Sequence, residues 1–83
     1  QRHEDQLRLK RVAALQQSLS AREQEILSLM LLGHGNKAIG LEKNVMADTV
    51  KKHRAQIMAK MEVNSLAELL SLCKDFIPTY GDD

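Results

Sequence analysis

The sequence predicts an all-α fold, and three observations carry that expectation. Proline occurs only at Pro78 and β-branched runs are absent, so helix is allowed almost throughout and strand is nowhere demanded. Apolar residues make up 43% of the 83 residues, yet only Phe76 and Tyr80 are aromatic, which leaves a core of Leu, Ile, Val, Met and Ala. Two serine–glutamate pairs, Ser20 with Glu23 and Ser65 with Glu68, have the spacing of a capping box, in which each partner satisfies a backbone N–H that lacks an intrahelical acceptor. This length suits one small domain with a linker or tail. Its core is modest, so dimerisation or a partner would add stability.

Residues 1–18, QRHEDQLRLKRVAALQQS, combine helix-forming composition with mixed charge. Leu7, Val12, Leu15 and Leu19 form only a loose stripe. Leu9, Val12 and Leu19 fit two turns of a dimer seam that Gln16 interrupts. A solvated linker helix is the preferred reading over a dimerising one. The next helix begins after Ser20 and turns Ile26, Leu27, Met30 and Leu31 to one side. Gly33 and Gly35, flanking His34, close it. A short helix over residues 36–43 offers Ala38, Ile39 and Leu41, and Asn44 then accepts a positive φ. After NVMA comes a basic helix over 49–61. EVNS interrupts it, a last helix runs over about 66–75, and Pro78 with the GDD end marks a frayed tail. The expected division is a linker helix at 1–18, a domain at 19–75 and a tail at 76–83.

Several function classes find no support. Cys73 stands alone, so no intramolecular disulfide forms, and burial as an apolar side chain is expected for it. His3, His34 and His53 are too scattered for a zinc site, GHG lacks the lysine and serine of a phosphate loop, and no nucleophile–base pattern appears. The expectation is a non-enzyme without cofactor or metal. The longest apolar run, residues 27–32, is far too short to span a bilayer and contains a serine. No membrane association is expected, and a cytoplasmic location is. The chain opens on Gln1 rather than Met, so it is expected to be part of a larger protein.

Charge is divided unevenly. Through residue 60 there are eleven Lys/Arg against six Asp/Glu; from 61 onward there is one against five. The formal net charge of +1 therefore conceals a basic region early in the chain. Its centre is TVKKHRAQIMAKM, residues 49–61, which holds four cations, a histidine and no acid. At about 100° per residue, Val50, Ile57 and Met61 share a narrow arc, with Met58 and His53 at its edges. Lys51, Lys52, Ala55, Gln56 and Ala59 lie opposite. Two small residues in the middle of that face, with long donors around them, suit a helix that enters a groove about 12 Å wide. Lys51, Lys52 or Gln56 would reach base edges, and Lys51, Lys52, Arg54 and Lys60 phosphate oxygens. Arg54 sits beside Val50 and Met61, so its stem is expected over apolar surface with the guanidinium reaching out. Lys60 also suits the C-terminal end of a helix dipole.

With the order long helix, short helix, tight turn and basic helix established, LSAREQEILSLMLLGHGNKAIG…TVKKHRAQIMAKMEVNSLAELL resembles the LuxR-type helix-turn-helix, especially its NarL/FixJ response-regulator branch. The resemblance runs from Leu19 to about Leu72. It implies a compact four-helix bundle preceded by the linker helix, binding double-stranded DNA as a homodimer in transcription regulation, with an upstream receiver or sensor domain and RNA polymerase as a further contact. Carried over by position, Lys51, Lys52 and Ala55 face the major groove, joined by Gln56. Lys37, Thr49, His53 and Lys60, with Arg54, contact phosphate or orient the helix. Arg22 and Glu23 fall on a pair thought to hold the first helix, although Glu23 is already explained by the capping box. Leu66, Leu69, Leu72 and Cys73 resemble the dimerisation helix; Leu66, Leu69, Leu70 and Cys73 share one face, so most should be core and Leu72 is the better interface residue.

Four positions depart from the family pattern: Lys43 where a buried leucine is usual, Met46 where a serine or threonine caps the recognition helix, Gly40 in place of alanine and Leu66 in place of arginine. The expectation is a preserved fold with a softer helix-turn-helix. The competing function is an all-α interaction module that presents the same basic helix to an acidic protein or to RNA polymerase.

Overall fold

The computed structural model describes residues 2–76. In chain order it holds α1 (Arg2–Gln17), α2 (Ala21–Leu31), α3 (Asn36–Lys43), α4 (Ala47–Lys60) and α5 (Leu66–Leu72), then a 3-10 turn over Lys74–Phe76. No strand occurs among the described residues. Of the tail expected over 76–83, Phe76 belongs to the 3-10 turn and residues 77–83 lie outside the described ones, as does the side chain of His3.

Local signals set most of the helix ends. At the start of α2 the Ser20 hydroxyl accepts the Glu23 N–H at 3.1 Å, and the Glu23 carboxylate accepts the Ser20 N–H at 2.9 Å, completing the capping box. At its end Gly33 adopts φ +92°, and the N–H groups of Gly33 and His34 reach the carbonyls of Met30 and Leu29. Asn44 ends α3 in the left-handed conformation, φ 59° and ψ 46°, as its residue type foretells. The basic helix starts two residues earlier than the sequence suggested, at Ala47. Met46 is extended at the cap position, its carbonyl accepts the Val50 N–H, and no side chain caps the helix. Ser65 caps α5, but Glu68 accepts the Asn64 N–H instead of the Ser65 N–H, so this second box is displaced by one residue. The last α-helix also stops at Leu72, short of residue 75, and tightens into the 3-10 turn.

The core gathers Ile26, Leu27, Met30 and Leu31 of α2, Ile39 of α3, and Val50 and Ile57 of α4, with Met61 at the α4 cap. Leu69 and Cys73 close it from one side, Val12 and Leu19 from another. Helix α4 is central, since both α2 and α3 pack on it. Val12 is completely buried and Leu19 nearly so, which corrects both readings of the first helix. It is not wholly solvated, and two of its three seam positions are already used by this chain's own core. Burying such side chains contributes about 1.5–3 kcal/mol each. Polar contacts add to the docking of α1: Arg8 donates to the Leu72 carbonyl at 3.2 Å and pairs with Asp75, Arg11 pairs with Glu62, and Gln24 donates to the Gln16 carbonyl at 3.0 Å.

Two departures from the family pattern find physical accommodation. Lys43 neither frays nor turns α3 away, because its ammonium reaches Glu25 of α2 at 3.2 Å while its stem stays largely covered. Glycine weakens a helix interior as a rule, but here the turn into α4 passes so close that a Cβ on Gly40 would sit 2.6 Å from the Val45 carbonyl oxygen. That close approach includes a 2.9 Å bond from the Val45 N–H to the Gly40 carbonyl.

Gly40→Ala therefore reverses the usual gain of alanine over glycine in a helix. A loss of about 1–3 kcal/mol is expected from overpacking against backbone, read from the urea midpoint; unchanged or raised stability would contradict it. With no side-chain cap at Gly35 or Met46, amides of residues 36–46 should exchange with solvent faster than those of 57–61. Equal protection of the two segments would remove the case for a soft helix-turn-helix.

Candidate nucleic-acid interface

Helix α4 presents two faces. Val50 and Ile57 are completely buried, as is Met61 at the cap, and His53, Arg54 and Met58 are half-buried along the edges. Lys51, Lys52, Ala55, Gln56 and Ala59 are all exposed, as are Asp48 and Thr49 in the first turn. Asp48, Lys51, Lys52 and Ala55 line a shallow depression on this outer face. The middle of the face is flattened by Ala55 and Ala59, while the lysines and Gln56 extend around it. Lys37 is exposed at the start of α3, the helix that braces α4. Leu41 on α3 and Met46 before α4 are largely exposed apolar side chains beside the turn.

Not every residue named from the sequence joins this face. Lys60 is exposed along its stem, but its ammonium donates to the Glu23 carboxylate at 2.8 Å. Glu23 is only 4% exposed, so Lys60 serves first as the partner of a buried charge. Arg54 is half-buried, and its guanidinium donates to the His34 carbonyl at 3.4 Å, bracing α4 against the loop between α2 and α3. His53 has its Nδ1 enclosed without a partner, which leaves Nε2 as the ring nitrogen for any outside contact. Arg22 and Glu23 are not bonded to each other: Arg22 donates to the Lys43 carbonyl at 3.4 Å and Glu23 turns to Ser20 and Lys60.

The expected dimer surface also changes. Leu69 and Cys73 are completely buried in the core and have no surface to offer a second copy. Burial also pushes the Cys73 thiol above its ordinary pKa, with Arg8 opposing more weakly. Leu66 is 38% exposed and Leu72 half-buried, so these two remain accessible on α5.

The residue whose role the sequence understated is Glu23. Capping explains its bond to Ser20, but its contact with Lys60 joins positions 37 apart and leaves no periodic trace. The Lys60 hydrogen bond, then the Ser20 N–H, hold its carboxyl below the usual glutamate value of 4.5 against the opposing effect of burial. Among the described residues no group of three or more His, Cys, Asp or Glu could hold a metal ion, and no helix is long and apolar enough to cross a membrane.

A short helix, a tight turn and a second helix with a cationic, small-residue outer face define a helix-turn-helix domain. Residues 17–73 match the family model described as bacterial regulatory proteins, luxR family. The chain belongs to that family. Among its relatives, the response regulator protein TodT of Pseudomonas putida is 46% identical over 54 residues, covering 65% of this chain and 24% of TodT. The response regulator protein TmoT of Ectopseudomonas mendocina is 40% identical over 70 residues, 84% of this chain and 32% of TmoT. The transcriptional regulatory protein FixJ of Bradyrhizobium diazoefficiens is 39% identical over 61 residues, 74% of this chain and 30% of FixJ. The chain thus spans about a quarter to a third of the length of these relatives. No solved structure matches it significantly. Its class is that of DNA-binding regulators of transcription rather than of a typical enzyme family.

Because folding lowers the Glu23 pKa, its contribution to stability is complete above the unfolded value and is lost as pH falls through the folded one. Lys60→Ala should cost about 1–3 kcal/mol at neutral pH by leaving a buried carboxylate short of a donor. It should also make acid unfolding less steep, since it removes the main cause of the lowered pKa. Urea titrations from pH 7 to pH 3 check both; a Lys60→Ala protein as stable as the parent would show that the pair is idle.

Proposed function

We propose that this chain is the DNA-binding effector domain of a bacterial two-component response regulator, acting as a homodimer with α4 in the major groove. The carrying observation is the outer face of α4: exposed Lys51, Lys52 and Gln56 around two exposed alanines, on a helix whose other side is locked into the core. Lys51, Lys52 and Gln56 make the base contacts, lysine donating to guanine acceptors and glutamine pairing with adenine, while Ala55 permits close approach. Lys37, Thr49 and Arg54, with Nε2 of His53, take the phosphate contacts that set register. Leu66 and Leu72 form the accessible part of the dimer contact, and two-fold related half-sites follow from such a dimer. A receiver domain upstream and a cytoplasmic location complete the reading, supported by the response-regulator names of the relatives and the small share of them that this chain covers.

The alternative, an interaction module for an acidic protein or RNA polymerase, draws on exposed Leu41 and Met46 beside the turn. Salt dependence separates the two. Binding to a random-sequence duplex should weaken about a hundredfold between roughly 50 and 200 mM salt if Lys37 and Arg54 of both copies in the dimer, four cations in all, meet phosphate. Undetectable binding to duplex DNA at low salt would defeat the DNA reading. Lys52→Ala should alter the preferred sequence, whereas Lys37→Ala should weaken all duplexes about equally. Equal losses from both on selected and random duplexes would show that Lys52 reads no base.

A further inference from the structure

Asp48 is the only acid between Ala47 and Met61. A helix beginning at Thr49 would leave it in the turn, where its charge merely favours the positive end of the dipole. The helix begins at Ala47 instead, and that places Asp48 on the outer face. It precedes Lys51 by three residues and Lys52 by four, and with them and Ala55 it lines the depression on that face. Asp48 is exposed, and its carboxylate has no partner among the ion pairs and side-chain hydrogen bonds of the described residues. A free carboxylate in the middle of a face that meets phosphate-lined DNA is repelled unless a base edge supplies a donor.

The major groove supplies two kinds of strong donor, the amino groups of cytosine and adenine. Adenine's lies between acceptors, its own N7 and the thymine O4, both of which repel a carboxylate. Cytosine's is flanked on one side by an apolar C5–H and on the other by guanine O6, the acceptor that a lysine seeks. An aspartate with a lysine one turn away therefore matches the donor and acceptor halves of a C·G pair, or of neighbouring C·G pairs, side by side.

We propose that Asp48 is a specificity-determining residue, accepting a hydrogen bond from the N4 amino group of a cytosine next to the guanine bound by Lys51 or Lys52. The inference rests on the reading of α4 as the groove-binding helix. Asp48 also acts against other sequences, because wherever cytosine is missing its charge is left facing acceptors and phosphates.

Selection from a random duplex pool, carried out in parallel with the parent chain, Asp48→Ala and Asp48→Asn, tests this. The parent should enrich one C·G position by roughly five- to tenfold, in line with about 1 kcal/mol for a single base contact. Asp48→Ala should lose the preference at that position only, while binding unselected duplex more tightly because a negative charge is gone. Asp48→Asn should shift the preference toward adenine, to which an amide bonds in bidentate fashion. A role confined to the helix dipole would lower the melting temperature and leave the sequence preference unmoved. An unchanged preference in both variants, or weaker binding of unselected duplex by Asp48→Ala, overturns the inference while leaving DNA binding intact. Retention of no duplex by the parent chain overturns the DNA reading itself and the inference with it.

Discussion

The carboxylate of Glu23 connects the two parts of the domain that must not move relative to each other. One of its bonds closes the start of α2 through the Ser20 N–H, and another holds the end of α4 through the Lys60 ammonium. Burial alone would push this group toward its neutral form. The donors outweigh that effect and hold the carboxyl pKa below its ordinary value. Its charge is therefore a fixed constraint on α4, whose last turn cannot rotate without abandoning it. The tilt of the basic face follows from that constraint together with Val50, Ile57 and Met61 in the core.

At the other end of α4 the constraint is backbone packing rather than charge. Gly40 lets the turn come down onto α3, Asn44 supplies the left-handed step, and Lys43 is tethered to Glu25. What is missing is a side-chain acceptor at Met46, which leaves the first N–H groups of α4 to solvent or to an incoming anion. The C-terminal half of α4 is thus fixed by a half-buried ion pair and core residues, while the N-terminal half is fixed by Val50 and the Gly40 turn but lacks a side-chain cap. Such a gradient suits a helix whose leading turn adjusts to a groove.

Much of this was legible in the sequence, for identifiable reasons. Capping at Ser20, closure at Gly33 and the positive φ at Asn44 depend on single residues and their neighbours, and those are local rules. The two faces of α4 follow from periodicity. Contacts that join distant positions were not legible: Lys60 with Glu23, Lys43 with Glu25, and the docking of α1 through Val12 and Arg8. Residue type gave Lys60 the look of a phosphate contact, and nothing nearby signalled its buried partner. Gly40 reads as a merely helix-weakening residue because helix propensity carries nothing of the Val45 carbonyl above it. Met46 lacks the side chain that usually announces a cap, so the sequence reads α4 from Thr49, two residues late, and leaves Asp48 out of its outer face. Resemblance assigns Cys73 and Leu69 to a partner contact, although their shared face already points to the core, where both are buried.

Glu23 and Lys60 act as one structural unit that orients the basic helix. A double-mutant cycle with Glu23→Gln, Lys60→Met and both together, read by urea unfolding at pH 7, measures it most directly. A coupling of about 1 kcal/mol or more is expected, with the double variant less destabilised than the sum of the two single ones. Additivity within about 0.3–0.5 kcal/mol would contradict it and return Lys60 to the surface as a free cation.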